Sequence, residues 1–434
     1  MNRRSFEKPE PLATTGNSSW SRIGQESDSA IPVGTCWPWE RWLVRKLLAA
    51  CGNPPVDVEF WDGSAISASG VEAAGTIVIR SRAALWRLLT SPDVGFGECF
   101  SDGAIRIEGS LVDLMTTINR AVARISLNSV AGWLAYHPFR RHSHSIAACR
   151  GSIHHHYDIG NAFYRLWLDP RMQYTCAYFS AQDLTLEQAQ FAKLEHVCRK
   201  LRLRPGERVF EAGCGWGGLA LHMASRYGVS VRAFNLSSEQ VAFAREQAEK
   251  QGLTGRVEFI EDDYRNVTGR YDAFISVGML EHVGLESFPE LGKVINRVLT
   301  PAGRGLLHSI GRNRPCPLDP WTDKHIFPGA YPPSLREMLS IFEPIGFSIL
   351  DVENLRLHYA RTLTEWLERF ETAAPEVSRM FDDKFVRMWR MYLAGSIATF
   401  ETGGLQLFQV VFARESNNKV PWTRDDLYRK AATV

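Results

Sequence analysis

The sequence contains no Cys-x-x-Cys pair, no long apolar run and no excess of charge of one sign. Its eight cysteines are scattered over 434 residues, so neither a zinc framework nor a redox pair is predicted, and the scatter is typical of a reducing cytosol. Apolar stretches such as 273–280 fall far short of the ~20 residues that a membrane-spanning helix needs. Lys and Arg number 50 against 48 Asp and Glu, which gives no reason to expect a nucleic-acid partner. These absences favour a cytoplasmic protein.

Four segments differ in composition along the chain. Residues 1–30 are polar, lack the apolar core of a signal peptide and are expected to form a disordered tail. Residues 31–130 hold short strand-like runs between two helical stretches and predict a small α+β domain. Residues 131–150 are basic and rich in histidine and are interpreted as a linker, and residues 151–434 form the remaining segment.

Strand-like and helical patterns alternate in residues 151–434, which predicts a doubly wound, mostly parallel α/β sheet. The predicted strands are 208–212, 230–234, 257–260, 271–277, 305–310 and 405–414. The predicted helices between and after them are 219–227, 238–250 and 288–299, with a long helical region at 363–400.

A glycine-rich turn, GCGWGG at 213–218, follows the first of these strands and opens a helix. Glycines permit a tight turn and let the backbone approach a ligand beside a helix N-terminus. The spacing differs from the dinucleotide fingerprint, and Asn235 stands where a dehydrogenase usually has an acid. Asp263 and Tyr264 close the third strand, where a carboxylate can accept a hydrogen bond from adenine and a ring can cover its face; a solvated loop is the alternative. The pattern favours S-adenosylmethionine.

Further motifs recur in a fixed order along the chain: HYDIGN at 156–161, MQYTCAYF at 172–179, SVGMLEHVG at 276–284, LHSIG at 307–311 and IFPG at 326–329. With the glycine-rich turn, they resemble the cyclopropane fatty acid synthase family, which includes the mycolic acid cyclopropane synthases. Residues 31–130 resemble the N-terminal domain of the bacterial phospholipid enzymes, through FWDG at 60–63. The resemblance implies a Rossmann-like class I methyltransferase fold, a doubly wound sheet of seven strands whose last strand is antiparallel.

The chemistry that the resemblance implies is methyl transfer from S-adenosylmethionine to a cis double bond of an unsaturated phospholipid acyl chain, followed by loss of a proton and closure of a cyclopropane. An alkene is a poor nucleophile, so this reaction needs an aligned, water-free pocket, and a base must remove the proton. The resemblance implies a bound bicarbonate ion as that base. Its implied holders are Cys176, Glu281, His308 and Tyr359, with backbone from Ile310. The implied cofactor-binding residues are Tyr174, Thr175, Gly213, Gly215, Asn235, Gln240, Asp263 and Tyr264.

Simpler interpretations of single residues remain open from the sequence. Cys176 alone is more often a small buried apolar residue than a catalytic group. Glu281 with its neighbour His282 is compatible with a salt bridge at a strand end, and His308 with a hydrogen-bonded histidine of the core. No metal site is predicted, because the histidines within 142–156 lack an acid or cysteine at a usual ligand spacing.

Three positions depart from the family pattern: Glu211 replaces the common Asp, Asn235 the usual Thr or Ser, and Leu280 a frequent Phe, which reshapes the expected acyl pocket. Acyl-chain methylation without ring closure, N-methylation of a small molecule and non-catalytic lipid binding are the alternative functions. The expected partner is phospholipid at a membrane surface, with peripheral association of the enzyme. A homodimer is open, and the small domain is expected to bind lipid or support dimerisation. The basic run at 140–144 is either a solvated surface or a contact for anionic headgroups.

Overall fold

The computed structural model describes residues 34–68, 72–126 and 159–428. The predictions for the tail at 1–30, for the linker at 131–150 and for the histidines within 142–156 fall outside this part of the chain. No helix of the described residues is both long enough and apolar enough to cross a membrane.

A four-stranded sheet and four helices form the N-terminal part. The strands are β1 (Asp57–Phe60), β2 (Ala65–Ile66), β3 (Thr76–Ile79) and β4 (Ile105–Glu108), and the helices are α1 (Pro38–Ala50), α2 (Arg82–Thr90), α3 (Pro92–Ser101) and α4 (Leu111–Ser126). The sheet order is β2-β1-β3-β4, with β1 parallel to β3 and the other pairs antiparallel. The α+β character follows the sequence prediction, but α2 and α3 have no counterpart among the predicted elements. Pro92, Gly95 and Gly97 interrupt the pattern of α3.

Seven strands form a second, larger sheet: β5 (Arg208–Ala212), β6 (Ser230–Asn235), β7 (Val257–Glu261), β8 (Tyr271–Val277), β9 (Leu299–Gly311), β10 (Phe347–Asn354) and β11 (Gln406–Arg414). Their order is β10-β11-β9-β8-β5-β6-β7. Strand β11 is antiparallel to both of its neighbours, and the five strands from β9 to β7 pair in parallel. The sheet confirms the class I methyltransferase fold, including the antiparallel last strand.

Ten helices of residues 159–428 accompany the large sheet: α5 (Asn161–Arg165), α6 (Leu186–Leu201), α7 (Gly218–Tyr227), α8 (Ser238–Lys250), α9 (Phe288–Val298), α10 (Pro320–His325), α11 (Leu335–Leu339), α12 (Arg356–Met380), α13 (Asp383–Thr402) and α14 (Asp425–Tyr428). Helices α7 and α8 lie close to their predicted bounds. The long helical region is two helices. The first ends at Met380, and the Asp382 side chain caps the start of α13 by accepting from the Phe385 N–H at 2.6 Å.

The two sheets share one hydrophobic core. Its largest cluster of buried residues runs from Val58 and Leu114 in the N-terminal part to Trp389 on α13. At the contact, a Cβ placed on Gly97 of α3 would lie 2.5 Å from the indole ring of Trp321 on α10, so the absence of a side chain allows the close approach. Polar contacts surround this packing: Lys384 pairs with Asp102 at 2.8 Å and Lys324 with Glu98 at 2.6 Å.

Candidate active site

The glycine-rich turn joins β5 to α7 at the carboxyl end of the large sheet. Gly213 has a φ of +80°, and a Cβ there would lie 2.8 Å from the Cβ of Met279. The turn therefore packs directly against the loop that follows β8. Gly215 has a φ of +52°, and a Cβ there would meet nothing within 4 Å. Its backbone faces open space beside the N-terminus of α7, which is the setting in which such folds bind a ligand.

Asn235 and Gln240 meet the glycine-rich turn from the next strand and helix. The Asn235 amide nitrogen donates to the Gly215 carbonyl at 3.1 Å and to Oε1 of Gln240 at 2.7 Å. Gln240 is 3% exposed, and its amide nitrogen has no hydrogen-bond partner among the described residues. A buried donor aimed at this turn suits a polar ligand, because leaving such a group unpaired is costly.

Asp263 and Tyr264 follow β7 and are both buried, at 3% and 8% exposure, so the solvated-loop interpretation is wrong. The Asp263 carboxylate accepts from the Arg265 N–H at 2.9 Å, which caps the short turn that starts at Tyr264. A carboxylate offers further acceptor positions beyond this one. The Tyr264 ring lies in a hydrophobic cluster with Phe210 and Phe234.

Tyr174 and Thr175 lie on the segment that leads to α6. The Tyr174 hydroxyl hydrogen-bonds the Tyr392 hydroxyl at 2.9 Å. The Thr175 hydroxyl accepts from the buried Lys193 ammonium at 2.9 Å, and a Cβ on Gly278 would lie 3.0 Å from the Thr175 methyl group. The segment is therefore held against the loop after β8, on the same side of the sheet as the glycine-rich turn.

Glu281 lies in a short turn after β8 and is 5% exposed. The Ile310 N–H of β9 donates to its Oε1 at 2.5 Å, while Oε2 has no hydrogen-bond partner among the described residues. Burial raises the pKa of Glu281 to about 7, against the lowering effect of the Ile310 N–H. The carboxyl group thus titrates close to neutral pH, where a group that takes up and releases protons is most effective.

His308 lies on β9 and is 2% exposed. Its Cα pairs with that of Gln409 on β11, and the Gln409 amide nitrogen lies 3.0 Å from Nδ1 of His308. With Nδ1 accepting this hydrogen bond, the proton of the neutral ring is on Nε2, which has no partner among the described residues. Burial lowers the pKa of His308 to about 3, so the ring is neutral near pH 7 and presents an N–H donor.

Cys176 and Tyr359 meet at the start of α12. The Cys176 thiol lies 4.0 Å from the Leu355 carbonyl, which also accepts from the Tyr359 N–H at 3.2 Å. The Leu355 N–H in turn donates to the Leu407 carbonyl on β11 at 2.8 Å, and Leu407 pairs with Ile310. Continuous backbone contacts therefore connect the start of α12 to the residue that binds Glu281. Burial raises the pKa of Cys176, so the group is a thiol at neutral pH.

Aromatic rings surround Tyr174. The ring centroids of Tyr164, Trp167 and Trp366 lie 5.4, 5.4 and 5.2 Å from that of Tyr174. Tyr164, Trp167 and Trp366 are fully buried. The aromatic cluster excludes water beside the segment that carries Thr175 and Cys176, and it offers π-faces that attract a cation.

The two ligands that the sequence implies fit this geometry. For S-adenosylmethionine, the open space over Gly215 and the unpaired amide of Gln240 provide a cradle and a donor. For bicarbonate, Oε2 of Glu281 and Nε2 of His308 provide a buried acceptor or acid and a buried donor, both without partners among the described residues. An anion that also carries a hydroxyl group can use both types of partner.

Two residues of this region lie outside the predicted set. Gln409 fixes the proton of His308, and Lys193, at 1% exposure, holds Thr175 and also donates to Oε1 of Gln173 at 2.6 Å. Gln409 has a signal in the sequence, because a polar residue inside an otherwise apolar buried strand requires a hydrogen-bond partner. Lys193 has no such signal, because lysines are common on helices and the sequence does not show that this one faces inward.

Known proteins match both parts of the chain. Residues 144–410 match the family model of mycolic acid cyclopropane synthetase, and residues 43–128 match a domain of unknown function. The chain is 34% identical over 398 residues to a probable fatty acid methyltransferase of Pseudomonas putida, covering 86% of this chain and 96% of that protein. It is 43% identical over 264 residues to cyclopropane-fatty-acyl-phospholipid synthase of Escherichia coli K12, covering 61% of this chain and 68% of that protein.

A solved structure of this kind has the same fold. The mycolic acid cyclopropane synthase CmaA1, in complex with SAH and CTAB, aligns with a TM-score of 0.58 and 27% identity, covering 61% of this chain and 97% of that one. The glycine-rich turn and six of the seven strands of the large sheet lie within the residues matched by the family model, which end inside β11. The chain therefore belongs to the mycolic acid cyclopropane synthetase family of S-adenosylmethionine-dependent methyltransferases.

Proposed function

We propose that this enzyme methylates a cis double bond in an unsaturated phospholipid acyl chain and closes the product to a cyclopropane. The observation that carries the proposal is the pair of buried, unpartnered polar atoms at neighbouring strand ends, Oε2 of Glu281 and Nε2 of His308. Methyl transfer to a nitrogen or oxygen also ends with the loss of a proton, but that proton sits on a polar atom that exchanges it readily. In ring closure the proton must leave the newly added carbon inside a water-free pocket, so the protein, or an ion that it holds, must supply the acceptor.

Two of the residues that we assign to the cofactor pack against the loop that carries Glu281. The glycine-rich turn packs on Met279, two residues before Glu281, through Gly213. Thr175 packs on Gly278 of the same loop. We therefore assign Tyr174, Thr175, Gly213, Gly215, Asn235, Gln240, Asp263 and Tyr264 to S-adenosylmethionine, which supplies an electrophilic methyl group when bound. A ligand in this cradle would lie next to Glu281, so that transfer and proton removal share one pocket.

Bicarbonate suits the polar pair as the immediate base. We assign Glu281, His308, Cys176 and Tyr359, with the backbone of Ile310, to holding it; when bound, the ion supplies a proton acceptor. Neutral His308 donates through Nε2, and Glu281, whose pKa is raised to about 7 by burial, accepts in its ionised form. Of these two residues, only Glu281 then changes its charge near neutral pH.

The surroundings protect a carbocation on the acyl chain. The four proposed holders of the base are all buried, with exposures between 0% for Cys176 and 8% for Tyr359. Burial keeps water from capturing the cation before the ring closes. The aromatic cluster around Tyr174 adds π-faces, which attract positive charge.

The test is mass spectrometry of total fatty acid methyl esters from a host that has unsaturated phospholipids but no cyclopropane synthase. We expect a cyclopropane ester with the wild type and none with Glu281→Gln, which keeps the shape of the side chain but removes its charge. Glu286→Gln is the matched control, because Glu286 is exposed on the same loop. It should produce the ring as the wild type does. A ring formed equally by Glu281→Gln would contradict the assigned role of Glu281.

Methylation without ring closure is the second candidate. It is favoured by the similarity to the fatty acid methyltransferase of Pseudomonas putida, which extends over 86% of this chain. The same cation then loses a proton to give a methylene product, and a methyl branch needs in addition a hydride from a separate donor. In the experiment above, a methyl-branched or methylene ester would replace the cyclopropane as the product. No new lipid from a folded protein that binds S-adenosylmethionine would point instead to a non-lipid acceptor.

A further inference from the structure

Exposed tryptophans are concentrated on one part of the surface. The structure describes five exposed tryptophans, and four of them lie at α1 and α2: Trp37, Trp39, Trp42 and Trp86, with exposures of 53%, 49%, 54% and 43%. We call these four residues the tryptophan face. Large apolar side chains gathered at one exposed site mark a surface that contacts something else, whereas single exposed ones do not.

Helices α1 and α2 bring together three of the four rings of the tryptophan face, those of Trp39, Trp42 and Trp86. The centroids of Trp39 and Trp86 are 6.0 Å apart. Trp39 and Trp42 are three residues apart on α1 and therefore point to the same side of the helix. The Lys46 ammonium lies 5.3 Å from the centroid of the Trp42 ring. One helix and its neighbour thus present indole rings and a cation together.

The opposite side of α1 anchors the helix. Glu40 is fully buried; it pairs with Arg82 of α2 at 2.6 Å and accepts from the Trp37 N–H at 2.7 Å. Val44 and Cys36 are buried in the core. The outward position of the rings is therefore fixed by buried contacts on the other side of the helix, which hold α1 in this orientation.

The charge around the rings is positive. Helix α1 carries Arg41, Arg45 and Lys46, and its one acidic residue, Glu40, is neutralised by Arg82. Among the described residues, Arg45 and Lys46 form no ion pair and are exposed. Two further acids lie near the ends of α1: Asp62 accepts from the Cys36 N–H at 2.6 Å before the helix, and Asp93 lies beside Cys51 after it. The face therefore favours an anionic partner.

We propose that the tryptophan face docks the enzyme on an anionic phospholipid bilayer. Indole rings settle at the headgroup level of a membrane, where the ring is apolar and its N–H stays polar, and Lys and Arg beside them attract anionic headgroups. The proposal rests on the proposed phospholipid substrate, because an enzyme acting on bilayer lipids must meet the bilayer surface. The face lies at the start of the N-terminal part, and its Trp86 falls within residues 43–128, which match a domain of unknown function.

A second copy of the chain fits the face less well. Two-fold dimers bring the same patch of each protomer together. The cations of α1 would then oppose their own copies, with Glu40 already used by Arg82. Anionic headgroups meet the same cations with the opposite sign.

The experiment compares cosedimentation of the full-length protein with phosphatidylglycerol/phosphatidylcholine vesicles and with pure phosphatidylcholine vesicles. The test variant carries Trp39→Ser, Trp42→Ser and Trp86→Ser. Trp422→Ser is the matched control, since Trp422 is also exposed but lies outside the face. We expect the wild type and the control to bind the anionic vesicles, and the triple variant to bind them at least about tenfold more weakly. Pure phosphatidylcholine vesicles should bind weakly to all three.

Two readouts complete the experiment. Analytical ultracentrifugation without lipid should give one oligomeric state for all three proteins; a wild-type dimer that dissociates in the triple variant would overturn the proposal in favour of a second copy. Equal vesicle binding by the triple variant would also overturn it. Activity on lipid in detergent micelles should be unaltered in the triple variant. If the wild type binds the vesicles but makes no new lipid, the proposed function is contradicted. The docking proposal is then still supported by the vesicle binding.

Discussion

At the scale of single residues, burial favours the neutral forms of both Glu281 and His308, and it therefore shifts their pKa values in opposite directions. It raises the pKa of the carboxyl group to about 7 and lowers that of the imidazole to about 3. The ring is therefore fixed as a neutral donor over the physiological range, whereas the carboxyl group can change its charge within that range. Glu281 is consequently the residue of this pair through which pH acts.

Stability should reveal this raised pKa. Between about pH 4.5 and about pH 7, Glu281 ionises in the unfolded chain but keeps its proton in the folded one, so its contribution to the free energy of unfolding falls as pH rises through this window. The loss is on the order of 3 kcal/mol. Glu281→Gln cannot ionise at this position. The melting temperature of the variant minus that of the wild type should therefore increase as pH rises and become constant above about pH 7.

Thermal melts across this range measure the effect, and Glu286→Gln serves as the control. That variant should follow the wild type at every pH, because Glu286 is exposed. A constant difference between Glu281→Gln and the wild type, from about pH 5 to about pH 8, would mean that Glu281 ionises in the folded protein at its ordinary pKa.

Some of the proposed site residues are conspicuous in the sequence, and others are not. Glu281 and His308 end or interrupt apolar runs, and an isolated polar residue at a strand end is conspicuous in a sequence. Gln409 and Lys193 were not predicted, because their partners His308 and Thr175 are chosen by pairing across the fold. Hydrogen bonds between distant segments have no periodic pattern that a single sequence displays.

At the scale of elements, the β5–turn–α7 unit determines how closely a ligand approaches the backbone. Gly215 has a left-handed φ that a non-glycine residue adopts at a cost of roughly 1–2 kcal/mol. A methyl group there would project into the open space over the turn, where we place the cofactor. We expect Gly215→Ala to remain folded with slightly lower stability. Calorimetry should show that it binds S-adenosylmethionine at least about tenfold more weakly than the wild type.

Gly206→Ala is the control for backbone strain. Gly206 also has a positive φ, of +86°, and a Cβ there meets nothing within 4 Å, but it lies before β5, at the other end of the strand. It should lose similar stability with no change in affinity. Equal affinity of the wild type and Gly215→Ala would remove the glycine-rich turn from the cofactor site.

Elements with a clear apolar pattern were predicted to within a few residues, as β8 and α8 illustrate. Helix α6 and strand β10 were not predicted. Helix α6 buries Lys193, His196 and Lys200, which obscures its apolar face. Strand β10 is an edge strand whose residues, apart from Phe347, are largely half-exposed or exposed, so its sequence has no continuous apolar run.

At the scale of the whole molecule, the two sheets depend on a shared interface. Gly97→Ala would drive a methyl group into the buried Trp321 ring, 2.5 Å from the Cβ position. We expect it to loosen the contact between α3 and α10, so that calorimetry shows the N-terminal part melting before the large sheet. The physical reason is overpacking, which typically costs about 1–3 kcal/mol in a well-packed core.

Gly395→Ala adds a methyl group to the same interface where there is room for it, so no destabilisation is expected. A Cβ on this α13 residue would lie 3.9 Å from the Met115 side chain of α4, an ordinary contact. It should be neutral or stabilise by about 0.5–1 kcal/mol, because alanine favours the helix. If Gly97→Ala melted in one transition at the wild-type temperature, the expected overpacking at the α3–α10 contact would be wrong.

The position of β11 in the sheet has a consequence for synthesis of the protein. The strand lies between β9 and β10, and it carries the partners of His308 and Leu355, but it comes near the end of the described chain. The ribosome adds the residues between His308 and Gln409 in roughly 5–20 s at bacterial rates. During that interval the nascent chain already has its glycine-rich turn but lacks the support for the imidazole and for the start of α12. On the assignments proposed above, synthesis therefore completes the turn assigned to the methyl donor before the strand that supports the residues assigned to proton removal.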